Sequence, residues 1–448
     1  MKKKFKIILM LLVTTATTTF SQWTPMQNGT NGNIYAIAVD SINNYVYVGG
    51  DFTFAGGVFS PFIAKWDGTS WSSLATGMNA PVRALYFLNG ELYAGGNFTQ
   101  AGSVAANRVA KWTGTSWINL GGGADSTVRA IGEFNSQIYI GGNFLIADGI
   151  TVNHIAKWDG AAWQAMGTGA SPGYIPSVNA IQNYNGYLYV GGFFNSVNGV
   201  GAVHIARWNG FTWQGLGIGL DASVEAFTVW NNKLVVGGGF STLGWFGSPG
   251  NIATYDGSVW NGLGSGTGGN VTGNDVLALT SFAGKLIAGG KFNTAGGITV
   301  NKIGAWDGNT WQALSTGMNN DVKSLSVLNS CLYAGGNFST SGGLTTNFIS
   351  TWCGPVGIEE HTLSENFLLS PNPTSDKNIT MTYNISVQKM LTINLYNFYG
   401  KLLKTQNTES SYATSEIKIS LEGLPNGIYF VKLNIDGIEV VRKLVKIP

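Results

Sequence analysis

The chain has 448 residues, 64 of them glycine, with 12% aromatic and only 11% charged side chains and a formal net charge of +2. Disordered chains are charge-rich and aromatic-poor, so this composition excludes a solvated tail and points to a turn-rich, all-β protein. No long basic run is present, which argues against nucleic acid as a partner, because phosphate contacts need a concentrated Lys/Arg footprint.

The chain opens Met1-Lys2-Lys3-Lys4-Phe5-Lys6, followed by the apolar run Ile7 to Val13 and a Thr-rich stretch to Ser21. A basic head, a short apolar core and a small-residue end predict a secretory signal peptide over residues 1–21, with Gln22 as the first mature residue. No other segment reads as transmembrane.

From there a repeat takes over. Double glycines begin at Gly49, Gly95, Gly141, Gly191, Gly237, Gly289 and Gly335, spaced by 46, 46, 50, 46, 52 and 46 residues. A period in that range with strand-like content predicts a β-propeller, one blade per repeat. Within residues 82–120 the expected strands are Val82 to Leu88 (a), Glu91 to Phe98 (b), Arg108 to Trp112 (c) and Trp117 to Leu120 (d). Asn89-Gly90 and Gly114-Thr115-Ser116 supply the hairpin turns. Phe52, Phe98, Phe144, Phe194, Phe240, Phe292 and Phe338 recur at one position and are expected in the core between blades. Trp66, Trp112, Trp158, Trp208, Trp306 and Trp352, with Tyr255 in the fifth repeat, are expected there too. The paired glycines suit close backbone approach or a positive φ. The last repeat lacks its final Trp strand, and Trp23-Thr24-Pro25-Met26 aligns with Trp71-Ser72-Ser73-Leu74. The predicted fold is therefore a seven-bladed β-propeller over residues 22–354, closed by its N-terminal strand, which removes an open edge.

These residues resemble kelch-type repeats. They are closer to the propeller repeats of fungal cell-polarity cortical markers and of many bacterial surface proteins. The interval from double glycine to Trp is longer than in kelch repeats, so galactose-oxidase chemistry does not carry over.

The two cysteines, Cys331 and Cys353, open strand b and close strand c of the seventh repeat, and antiparallel pairing brings those points together. In an exported protein a disulfide is expected, the alternative being two buried thiols. His154 and His204 occupy equivalent positions in adjacent repeats. A shared metal is not expected, because ligands lie about 2.1 Å from zinc and equivalent points on packed sheets about 10 Å apart. His361 falls in the linker. No serine has a nucleophile-elbow context and no Cys–His pair follows from spacing, so no catalytic residue, metal or cofactor is assigned. Asp307-Gly308-Asn309-Thr310-Trp311 resembles the Asp-box of sialidases with one residue missing, and argues for a hairpin.

One position of strand a varies freely: Tyr35, Arg83, Arg129, Asn179, Glu225, Leu277 and Lys323. Its neighbour stays small, from Ala36 to Ser324. The small residue suits a crowded ring axis, and the variable one suits the channel mouth. The b–c and d–a connections emerge on the same face and are long, including Phe54 to Pro61, Ser171 to Pro176, Gly264 to Asn274 and the segment with Trp245 and Phe246. Binding concentrates in such loops. The candidate ligand site is thus Tyr35, Arg83, Arg129, Asn179, Glu225, Lys323, Trp245 and Phe246, for a glycan or a surface protein. Loop drift on an inert face is the alternative.

After Gly354 a linker spans residues 355–366, and a small β-sandwich is expected over residues 367–448 from period-two alternation between turns. It carries Pro371-Asn372-Pro373, Gly400-Lys401 after a strand, Asn426-Gly427-Ile428-Tyr429 and a terminal Lys443-Leu444-Val445-Lys446. In that order these landmarks are similar to the type A C-terminal sorting domain of the Bacteroidetes type IX secretion system. The resemblance implies export through the periplasm and outer membrane, the type IX machinery as partner, and removal of the domain with attachment to surface lipopolysaccharide or release. The expected function is a non-catalytic binding or adhesion module at the cell surface or secreted. A polysaccharide-degrading enzyme is the alternative, needing two carboxylates roughly 5–10 Å apart, and a structural surface-layer component is a third reading.

Overall fold

The computed structural model describes residues 23–171, 176–242, 250–269, 273–354, 367–385, 390–397, 401–409, 413–435 and 438–448. The expected signal peptide and the linker lie outside the described residues. The chain divides into two compact units, Met1–Gly354 and Pro355–Pro448.

The described residues of the first unit build seven four-stranded antiparallel sheets, each in the order a-b-c-d. In the third, Val128–Phe134 pairs with Gln137–Gly142, which pairs with Ile155–Trp158, which pairs with Trp163–Ala165. Each innermost strand packs on the innermost strands of the sheets before and after it, and the seventh packs on the first, so the sheets form a closed ring. The sheet that closes the ring is shared between the first and last strands of this unit. Trp23–Pro25 pairs with Ile349–Cys353, with Trp23 opposite Trp352. Cys331 faces Cys353 across the adjoining pair, and the two are disulfide-bonded with Cα atoms 4.1 Å apart.

Strand c is shorter than its sequence suggests. In the second sheet it spans Val109–Trp112, because Arg108 adopts φ 66° and leaves the extended region. The equivalent Phe62, His154, His204, Asn251, Lys302 and Phe348 share that left-handed geometry. The double glycines are needed for space and not for positive φ. A Cβ on Gly141 would lie 2.4 Å from Val178 Cγ1 of the next sheet, and one on Gly142 would lie 2.1 Å from the Thr127 carbonyl oxygen.

The recurrent phenylalanines are 0–1% exposed. The strand-c aromatics are divided: Trp66, Trp306 and Tyr255 are buried, whereas Trp112, Trp158, Trp208 and Trp352 stay partly exposed. The more uniform wedge is the strand-d tryptophan. Trp163 is 1% exposed and its indole Nε1 donates to the Leu120 carbonyl of the preceding sheet at 2.9 Å. Trp71, Trp117, Trp213, Trp311 and Trp23 do the same to Met26, Leu74, Met166, Leu263 and Leu314. A buried indole N–H needs an acceptor, and this one is supplied across the sheet boundary.

The Phe54 to Pro61 connection is a second small hairpin and not an open loop. Phe54–Ala55 pairs with Val58–Phe59, and Asn31 Oδ1 accepts the backbone N–H groups of Thr53 and Phe54, each at 2.8 Å. Asn79, Asp125, Asp221 and Asn319 repeat the clamp in other sheets.

The second unit holds two antiparallel sheets. One is made of Phe367–Ser370, Asn378–Ile385 and Ala413–Ser420; the other of Leu402–Glu409, Met390–Asn397, Gly427–Ile435 and Ile438–Lys446. Ile379, Met381, Ile417 and Ile419 from the first meet Leu391, Ile393, Leu395, Val431 and Leu433 from the second in one buried cluster. The alternate positions of each strand supply this core, as a period of two requires.

Candidate functional site

All seven innermost strands of the ring carry a β-bulge at one place. Their pairing with strand b slips between Ile34 and Ala36, Val82 and Ala84, Val128 and Ala130, Val178 and Ala180, Val224 and Ala226, Val276 and Ala278, and Val322 and Ser324. The skipped residues are the variable ones: Tyr35, Arg83, Arg129, Asn179, Glu225, Leu277 and Lys323. A bulge leaves its extra residue out of the ladder and re-aims its side chain. A cavity of about 250 Å³ is lined from all seven innermost strands and therefore lies on the ring axis. Tyr35, Arg129, Asn179, Glu225, Leu277 and Lys323 reach it, with the small residues between them.

Arg83 joins this group through Tyr35. Its guanidinium lies 4.1 Å from the centre of the Tyr35 ring and the Lys323 ammonium lies 4.8 Å from the same ring. Tyr35 Oη donates to Asp51 at 2.6 Å. Arg83 Nε donates to Asn97 Oδ1 at 3.0 Å and Arg129 Nε to Asn143 Oδ1 at 2.5 Å. Across the axis Glu225 accepts from Asn179 Nδ2 at 3.1 and 3.2 Å and from Ser223 Oγ at 2.7 Å. Lys291 pairs with Asp275 at 2.7 Å.

Burial dominates the electrostatics. It pushes the Glu225 carboxyl up, against the hydrogen bonds from Ser223 and Asn179 and the charge of Arg129. It pushes Arg129 and Lys323 down, and it raises Tyr35, helped by the hydrogen bond to Asp51. Glu225 and Lys323 are partly buried while Arg129 keeps solvent access, and Glu225 and Arg129 lean on fixed polar partners. Asn179 Oδ1 is buried with no hydrogen-bond partner among the described residues. The arrangement is a mixed-charge floor offering guanidinium, ammonium, carboxylate and amide groups, suited to reversible polar contacts.

The predicted residues are thus brought together on the axis, except Trp245 and Phe246, which lie outside the described residues. Sequence reasoning missed the supporting ring of Asp51, Asn97 and Asn143. The signal was present: the position just after each double glycine also varies, through Phe193, Gly239, Lys291 and Asn337. Among the described residues no three His, Cys, Asp or Glu side chains gather into a metal-binding group. His154 and His204 are each 5% exposed, and their Nδ1 atoms have no partner among the described residues. The Asp307 carboxylate accepts the N–H groups of Asn309 and Thr310, both at 2.8 Å, as a turn should.

In the second unit, Asn372 ties the chain's entry to its last strand: Nδ2 donates to the Lys443 carbonyl at 2.7 Å and Oδ1 accepts from Val445 N–H at 3.0 Å. Pro371 and Pro373 flank it, each after a cis peptide bond. Thr374 continues the pairing, donating to Val445 and accepting from Ile447. Tyr429 is buried, and its hydroxyl donates to the Pro425 carbonyl at 2.5 Å. Gly427 opens the strand that pairs with Lys446. Lys401 is exposed and held through its backbone by Asn397 Oδ1 at 2.9 Å; Gly400 lies outside the described residues. The Lys443 side chain is exposed.

Two family models match. Residues 369–447 match the secretion system C-terminal sorting domain, and residues 9–178 match the Rax2 C-terminal beta propeller domain. The curated proteins give no match. Among solved structures, the crystal structure of the computationally designed Ika8 protein is similar with 17% identity and a TM-score of 0.46, covering 75% of this chain and 100% of that one. No helix among the described residues is long and apolar enough to cross a membrane. The chain joins a β-propeller to a type IX secretion sorting domain, and is thereby exported to the cell surface or beyond.

Proposed function

We propose that the exported chain is a non-catalytic binding or adhesion module, a seven-bladed ring whose axial mouth takes a glycan or a surface protein. One observation carries the reading. A freely varying position of strand a is the bulged one in every sheet, so a repeated scaffold presents Tyr35, Arg129, Asn179, Glu225, Leu277 and Lys323 around one cavity. A purely structural axis has no need of Arg83, Arg129, Glu225 and Lys323 gathered at one mouth, with Glu225 and Lys323 partly buried, because desolvating charge is costly unless partners compensate.

The test is a glycan array and a cell-surface pull-down with the full chain and with Arg83→Gln, Lys323→Gln and Glu225→Gln variants. The charged groups of a binding centre cost about tenfold or more in affinity when neutralised. The expected result is saturable binding that weakens by that factor, with unchanged thermal melting. Binding that survives all three substitutions would sink the axial site.

A further inference from the structure

A second kind of site lies away from the axis, where neighbouring sheets meet at the end carrying the a–b and c–d turns. Between the first and second sheets is a cleft of about 250 Å³, and between the second and third one of about 300 Å³. They are built from equivalent positions. Tyr47, Lys65 and Trp112 line the first; Tyr93, Lys111 and Trp158 line the second.

Each cleft combines an aromatic face with both donors and acceptors. Trp112 and Trp158 are partly exposed, whereas Trp66 and Trp306 at the equivalent points of other boundaries are 8% exposed. Lys65 Nζ sits 4.2 Å from the centre of the Tyr45 ring, and Asp40 lines the same cleft. In the second cleft Lys111 pairs with Glu91 at 2.7 Å, and Tyr93 Oη donates to the same carboxylate at 2.9 Å. Each cleft thus holds both signs of charge, Lys65 with Asp40 in the first and Lys111 with Glu91 and Asp159 in the second, so neither presents the cationic lining an anionic ligand needs.

The pattern is confined to one arc of the ring. Tyr139, Lys157 and Trp208 repeat it at the third boundary, with Trp208 again partly exposed. The fourth sheet keeps Tyr189 with Arg207 but faces Tyr255 in place of the indole, the fifth and sixth have Val235 with Thr254 and Ile287 with Ala305 at the Tyr and Lys positions, and the seventh keeps Tyr333 but has Thr351 next to the disulfide. A scaffold role would not require three adjacent boundaries to combine Tyr, Lys and a partly exposed indole, a full set that no other boundary holds.

We infer that these clefts bind neutral hexopyranose units of a polysaccharide, one ring per cleft. A pyranose has an apolar C–H face that packs on an indole and a rim of hydroxyls that both donate and accept. Lys, Tyr and carboxylate groups beside the indole match that rim. The clefts lie at the small end of ligand pockets, which suits one sugar ring and not an extended chain. Single sites of this kind are weak, and several on one rigid arc gain through multivalency on a repeating polymer. This inference does not rest on the axial reading.

The full chain is titrated with glucose, galactose, mannose and N-acetylglucosamine by saturation-transfer NMR, then assayed on the immobilised glucan, galactan, mannan and chitin. One hexose is expected to saturate with a Kd of about 1 mM or weaker. Joint Trp112→Ala and Trp158→Ala substitution is expected to lower retention on the matching polymer by about tenfold or more. Because these indoles also pack, Lys65→Met with Lys111→Met gives a second variant that leaves the aromatic wall intact, and it too should weaken binding. The Arg83→Gln axial variant should keep it. No saturation by any of the four sugars, or cleft variants that bind like the parent chain, would overturn the inference. Loss in the axial variant alone would overturn it as well, while supporting the axial site.

Discussion

At the residue scale, space and left-handed backbone explain more than identity does. Gly142→Ala places a methyl group 2.1 Å from a backbone oxygen that cannot move away. Overpacking of this kind costs about 1–3 kcal/mol. Gly149 has nothing within 4 Å but sits at φ 79°, so Gly149→Ala should cost less, about 1 kcal/mol. Urea unfolding of the two variants should rank them in that order. The buried histidines give a pH prediction. His154 and His204 occupy left-handed positions, and burial lowers the pKa of both, against weaker opposing effects of Asp125 and Asp221. Their folded pKa lies below the unfolded value near 6.5, so as pH falls the unfolded chain takes up protons that the folded chain resists. Their stabilising effect is complete above about pH 6.5 and declines below it. Asn251 fills the same left-handed position in the fifth sheet, and Asn tolerates that geometry. The His154→Asn, His204→Asn double variant should therefore show a shallower loss of the urea midpoint between pH 7 and 5; an unchanged slope would mean the histidines do not titrate in this range.

At the element scale, the sheet that joins the first and last strands of the ring is the one held covalently. Cys331 and Cys353 are separated by 22 residues, and closing a loop of that size is worth about 3 kcal/mol through the unfolded state. A Cys331→Ser, Cys353→Ser chain should lose about that much in chemical denaturation, and reduction of the parent chain should reproduce the loss. An effect near zero would show that the backbone ladder to Trp23–Pro25 closes the ring by itself. How far elements could be read from sequence depended on whether a local signal existed. The four strands per repeat, the tight turns, the closing strand and the cysteine pair follow from spacing and turn chemistry. The small hairpin at Phe54–Phe59 did not, because two-residue strands carry no periodicity and depend on the Asn31 clamp from a distant segment. The division of labour between the strand-c and strand-d tryptophans was hidden for a similar reason. Both recur equally, and only the register across a sheet boundary shows that Trp163, not Trp158, donates to Leu120. The axial position was legible as variability beside a small residue, but the bulge that turns it inward shows only in the strand register, and its supports Asp51, Asn97 and Asn143 follow the double glycine on the neighbouring strand.

At the scale of the whole molecule, each unit holds its own core: the ring closes on itself through Trp23 and Trp352, and the second unit encloses residues 379–444. The chemistry also divides. The axial cavity and the aromatic clefts belong to the first unit, while the second offers backbone clamps and exposed lysines such as Lys401 and Lys443. That separation fits a sorting function, since a delivery signal must be readable whatever cargo precedes it. The prediction is that, in the native host, a chain ending at Gly354 accumulates inside the cell envelope, and that residues 355–448 fused to an unrelated exported reporter carry it to the surface or the medium. Asn372→Ala gives the finer test. It removes two hydrogen bonds that hold Lys443 and Val445 in place, each worth about 1 kcal/mol, without touching an exposed lysine. If the machinery reads the arranged last strand, surface delivery should fall while reporter expression stays constant; if it reads only the linear Lys443–Lys446 segment, delivery should be unaffected.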